Sequence, residues 1–242
     1  VVLLPLVLVC IGLYWWRHRT AAEPLIARGI IRRRIVWALI ASLLLGAAIV
    51  AVVVAVPLLS RLTVSSSETT AAFELLKFLI ALPVGAVMGG WLLRWFGDGA
   101  VSGAGMLFVS VALWFASSWG RGSLDSVGGT VGLLIIGCGA GLAIAPVNNA
   151  VLADAPSQAH GTASALIVVA RMTGMVVGLA LLTAIGMNRY YQQVASLPSR
   201  TDIDALIDAG ITQVQVMLLG AAFAAALAAF SCLALGLRRR RF

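Results

Sequence analysis

The chain has 242 residues, 61% of them hydrophobic and 11% charged, with a net charge of +8 and a mean hydropathy of +1.03. A soluble domain of this length carries about 25% charged residues, so this composition belongs to lipid and excludes an ordinary water-soluble globule. The positive charge does not indicate nucleic acid, because it is placed beside apolar stretches in the way that orients membrane spans and meets anionic headgroups.

A membrane span needs about 20 mostly apolar residues. Seven stretches answer to that in chain order: 1–16, 35–59, 72–93, 101–118, 128–152, 162–187 and 212–237. The first, opening on Val1-Val2-Leu3-Leu4, has no initiator Met, no basic leader and no small-residue cleavage site. It reads as a span cut from a longer protein and not as a signal peptide. The basic segment that follows holds Arg17, Arg19, Arg28, Arg32, Arg33 and Arg34. Ser65-Ser66-Ser67, Gly97-Asp98-Gly99, Gly120-Arg121-Gly122 and Ala155-Pro156-Ser157 supply the turn chemistry of later connectors. Four arginines, Arg238 to Arg241, follow the last stretch.

These placements test an orientation. With a cytoplasmic tail, segments 17–34, 94–100, 153–161 and 238–242 hold six, one, none and four basic residues, eleven in all. The opposite side holds four: Arg61, Arg121, Arg189 and Arg200. The bias puts the C-terminus in the cytoplasm. Segment 188–211 then lies outside. Thr201 is a candidate N-cap there, acids follow in a first helical turn, and Ile203, Leu206, Ile207 and Ile211 recur at helical spacing. The pattern reads either as an amphipathic extension of the last span or as an ordinary loop.

Charges inside spans are costly and therefore point to function. Arg171 lies near the middle of 162–187, with no acid at comparable depth. It faces a polar cavity or substrate, or it holds backbone carbonyls structurally. Asn148 and Asn149 follow Pro146, which bends a span and frees a carbonyl; the amides either line a pathway or join helices. Glu74 and Lys77, three residues apart, can form an intramembrane ion pair, or snorkel at an interface. Gly137, Gly139, Gly141, Gly174 and Gly178 permit close helix approach, and with no preceding strand they are not a dinucleotide fingerprint. Cys10, Cys138 and Cys232 lie in apolar stretches without metal-ligand spacing, and the two histidines, His18 and His160, lie in connectors. No catalytic, cofactor or metal set is expected. A polytopic enzyme acting on lipids would have only Asp154 and His160 to work with, and a membrane scaffold would need a soluble domain that this stretch lacks.

Within 137–178, Gly137, Gly139, Gly141, Pro146, Pro156, Gly161-Thr162-Ala163-Ser164, Arg171, Gly174 and Gly178 occur in the order and register of one family. The stretch resembles the major facilitator superfamily, in its fourteen-span drug:proton antiporter branch. A second motif, the loop G-x-L-x-D-R-x-G, is degraded: Gly90, Leu92 and Gly97 are kept, with Arg94 at the Asp position and Trp95 at the Arg position. Its charge relay is therefore in doubt here. The resemblance implies an all-α, polytopic transmembrane helical bundle: the C-terminal six-helix half of a major facilitator fold over 35–242, preceded by one linker helix and basic loop over 1–34. It implies a secondary transporter, proton-coupled, exporting drugs or lipid-like amphiphiles across the cytoplasmic membrane. Arg171, Asn148, Asn149 and Pro146 would line or gate the pathway, and Gly90, Arg94 and Gly97 would form the cytoplasmic motif loop. The long outer segment is similar to that of mycobacterial exporters working with a periplasmic lipoprotein. Membrane lipid, the amphiphilic or lipid substrate, protons and that lipoprotein are the expected partners, with no nucleic acid.

Overall fold

The computed structural model describes residues 33–62, 68–124, 126–196 and 202–236. They form α1 (Arg33–Leu62), α2 (Glu68–Phe96), α3 (Asp98–Ala116), α4 (Val127–Asp154), a short 3-10 turn (Ser157–Ala159), α5 (His160–Ala195) and α6 (Ile203–Gly236). Six helices among the described residues are long and apolar enough to cross a membrane, and the expected spans from 35–59 to 212–237 correspond to them one for one. The stretch 1–16, with Cys10, lies outside the described residues, as do Thr201 and the tail arginines. The chain is an all-α polytopic membrane bundle.

The helices alternate in direction, so one end of the bundle gathers Arg34, Asp98, Asp154 and Gly236 and the other gathers Leu62, Arg121 and Ile203. Three boundaries depart from expectation. The connector expected over 94–100 shrinks to Gly97 alone, so Gly90 and Arg94 belong to α2 and are not loop residues. Gly97 has φ 79 and ψ 165, a region that only glycine occupies without strain of about 1–3 kcal/mol, and this allows α3 to start at the next residue. Helix α5 runs on through Asn188 to Ala195, and α6 begins at Ile203. Asn, Arg and Gln can continue a helix once it leaves the hydrocarbon, because its backbone bonds are already satisfied. Asp202 caps α6: its Oδ1 accepts the amides of Asp204 at 3.1 Å and Ala205 at 3.3 Å.

Helix α1 packs on α5 and α6, α3 on α4 and α6, and α2 on α4. Small residues make these seams. A Cβ built on Gly174 would collide with the carbonyl of Leu43, one on Gly178 would lie 2.5 Å from Ala47 Cβ, and one on Gly46 would meet the carbonyl of Arg171. Across the α2–α4 seam, Gly141 lies against the Leu82 carbonyl, and a Cβ on Gly89 would lie 2.6 Å from the Leu142 carbonyl. Leu142 is the residue four before Pro146, so its carbonyl has lost its helical amide and α2 closes over it. Without a hydrophobic effect to drive helices together in lipid, such close backbone approach supplies the association. Helices α2 and α5 are the least covered: 22% of the apolar window of each is buried, against at least 50% in the other four.

Candidate functional site

Arg171 is the twelfth residue of α5, about 16 Å along its axis. Helical side chains tilt toward the N-terminus, which for α5 is the Arg34 end. The guanidinium reaches that way, and its Nη2 donates to Asn148 Oδ1 at 2.9 Å. Asn148 lies six residues before the end of α4, two past Pro146. No carboxylate meets Arg171 among the described residues, and its buried Nε has no partner there. A cation held at this depth by one amide keeps donors for another ligand.

The neighbouring amide has a different partner. Asn149 Nδ2 donates to Asp98 Oδ1 at 2.8 Å. The other oxygen of Asp98 receives Arg34 Nη2 at 3.2 Å, and Arg34 Nη1 reaches Asp154 Oδ1 at 2.8 Å. Asp98 is 2% exposed. As the first residue of α3 it also sits where the helix dipole favours a negative charge. One arginine thus ties the starts of α1 and α3 to the end of α4, with Asn149 closing the cluster. Sequence reasoning treated Asp98 as a turn residue and Arg34 as one of a basic run. A detectable signal was the acid directly after Gly97, at the end where the arginines gather. Arg94, at the Asp position of the degraded motif, makes no such bond among the described residues; the acid that engages is four residues on.

Glu74 and Lys77 do pair, Nζ to Oε1 at 2.6 Å, and the same ammonium donates to Thr130 Oγ1 on α4 at 3.0 Å. Glu74 is 6% exposed, and its Oε2 is buried without a partner among the described residues. Twenty residues separate it from Arg94, about 30 Å of helix, so the pair lies at the far side of the bundle from the Arg34 cluster. Asp154 and His160, which a lipid-modifying enzyme would have to use, do not engage each other: Asp154 binds Arg34, and His160 Nε2 lies 3.2 Å from the Ala155 carbonyl.

At the Arg121 end the helices overshoot. Helix α5 has 36 residues and α6 has 34, about 54 and 51 Å, against a hydrocarbon core of about 30 Å. Gly210 packs on Leu62, the last residue of α1, so the start of α6 stands beyond α1. Arg121 clasps this part through Asp204 Oδ1 at 2.8 Å and Asp208 Oδ1 at 2.9 Å. The hydrogen bond to Asp204, then that to Asp208, raises the Arg121 pKa above its ordinary value. Gln215 donates to the Trp119 carbonyl at 2.9 Å from the same helix. Ile203 is exposed while Leu206 and Ile207 are half-buried, so the three apolar residues do not share one open face.

A six-helix membrane bundle of alternating direction, with a half-buried charge cluster at one end and an arginine in mid-span, defines one half of a polytopic transporter fold. The model of the Major Facilitator Superfamily matches residues 1–179, and the chain belongs to that family. It is 37% identical over 194 residues to the triacylglyceride transporter of Mycobacteroides abscessus, covering 76% of this chain and 38% of that protein. It is 38% identical over 197 residues to the triacylglyceride transporter of Mycobacterium tuberculosis H37Rv, covering 77% and 38%. The corresponding protein of Mycolicibacterium smegmatis is 36% identical over 207 residues, covering 81% and 36%. The match thus spans little more than a third of these relatives. Membership places the chain among membrane transporters rather than enzymes.

Proposed function

We propose that this chain is the C-terminal half of a proton-driven exporter that moves neutral glycerolipids or similarly apolar amphiphiles out across the cytoplasmic membrane. Triacylglyceride, the compound in the relatives' names, supports this cargo class. Outward, proton-coupled movement rests on the resemblance of 137–178 to the drug:proton antiporter branch. In this reading the sparsely covered faces of α2 and α5 meet the other half of the protein, and cargo passes between the halves as they rock. The Arg34 end and the C-terminus are cytoplasmic. Glu74, with a buried free oxygen, is the proton carrier in this half. The overshoot of α5 and α6 guides cargo at the outer surface and offers a lipoprotein its docking place.

One observation carries the reading: adjacent amides just past Pro146 lead from the mid-span Arg171 to the end cluster. Movement of α4 at its proline would change both contacts together, so cargo bound beside Arg171 and closure of the cytoplasmic end are coupled through one helix turn. The test is export by the full-length protein in proteoliposomes with a pH gradient. Arg171→Ala should abolish export of a labelled triacylglyceride while expression and insertion persist, and Arg171→Lys should retain a fraction of it. Near-normal export by the alanine variant would refute the role; loss of the protein itself would make Arg171 structural.

A further inference from the structure

A cleft of about 820 Å³ opens at the Arg34 end, between the end of α2, the start of α3 and the last turns of α6. Its size lies within the range of small-molecule sites, about 300–1,000 Å³. Its walls divide by chemistry. Trp95, Phe96, Phe230 and Leu233 form an apolar side, and Trp95 and Phe230 are 75% and 66% exposed. Arg34, Arg94 and Asp98 form the charged side. Arg34 is already committed to Asp98 and Asp154. Arg94 is exposed at the last turn of α2, with no carboxylate partner among the described residues.

We infer that this cleft is a binding site for the headgroup of an anionic phospholipid of the cytoplasmic leaflet. Aromatic rings beside an unpaired guanidinium, at the end of spans, match the layered chemistry of a lipid: acyl chains against the rings, phosphate at the arginine. Two carboxylates on Arg34 leave the half-buried cluster with one negative charge in excess. Arg33, exposed at the start of α1, and Arg94 outweigh it at that end of the bundle. The proposed cargo, a neutral glyceride, has no anion to offer these groups; the site is distinct from the transport pathway and rests on the cytoplasmic orientation. Its ligand would brace the junction of α2 and α3 at Gly97, beside the Asp98 cluster.

The test is lipid retention by the purified full-length protein, read by native mass spectrometry during titration with phosphatidylglycerol or phosphatidylethanolamine of matched chains. Phosphatidylglycerol should be retained in preference. Arg94→Gln should weaken its binding about fivefold, the loss expected for one basic residue at an anionic surface. Arg94→Lys should keep most of it. Phosphatidylethanolamine, whose ammonium offsets the same phosphate charge, should bind more weakly and respond less to Arg94→Gln. Equal retention of the two lipids, or unchanged phosphatidylglycerol binding in Arg94→Gln, would overturn the site and give the cleft to the other half of the protein. The readout needs no transport, so a failed export assay and a failed lipid titration strike different claims.

Discussion

At the residue scale the decisive group is Arg34. Asp98 is 2% exposed, and its charge is tolerable because a guanidinium, an amide and a helix start surround it. Removing one partner of such a set leaves the other charge uncompensated. Arg34→Ala should therefore lower stability by on the order of 3 kcal/mol, visible as a lower melting temperature of the purified protein. Adding Asp98→Asn should return part of the loss, because the orphaned charge then disappears. A double variant no more stable than Arg34→Ala would mean that Asp98 does not depend on Arg34.

At the element scale the α1–α5 seam is made by glycines whose neighbours are backbone. At Gly174 any side chain would press on the Leu43 carbonyl, and a backbone cannot step aside as a flexible side chain does. Gly174→Leu should cost about 1–3 kcal/mol or more through overpacking, and should separate α5 from α1. Gly90 makes the comparison: a Cβ there meets nothing within 4 Å, so Gly90→Ala should leave the melting temperature unchanged or slightly higher. A melting temperature of Gly174→Leu no lower than that of Gly90→Ala would show that the seam does not depend on close backbone approach at Gly174. The serines add to the same seam, Ser42 Oγ donating to the Ile167 carbonyl at 3.0 Å.

At the scale of the whole molecule the question is which end meets the cytoplasm. The proposal that the Arg34 end is cytoplasmic rests on the eleven-to-four distribution of basic residues and the rule that such residues stay inside. Single cysteines at Ser196 and Phe242 in a cysteine-free full-length background should be labelled from opposite sides, the first by an impermeant maleimide added outside intact cells. Labelling of position 196 from the cytoplasm alone would invert the bundle, and with it the assignment of the cleft, the Arg34 cluster and the Arg121 clasp.

Composition and the spacing of apolar runs determined the class, the helix count among the described residues and the positions of most helices, because in lipid a helix must satisfy its own backbone and so announces itself by length alone. The same local rule made the pairing of Glu74 with Lys77 legible, since both lie on one turn. What only the tertiary structure decided were the contacts between helices far apart in the chain. Asn148 and Asn149 look alike in sequence, yet a step of one residue turns them toward different helices, one to Arg171 and the other to Asp98. Arg34 lies 120 residues from Asp154 and 64 from Asp98. Nothing in a local pattern selects it from its basic neighbours. It is selected by the packing of α1, α3 and α4, which brings two carboxylates within reach of one guanidinium.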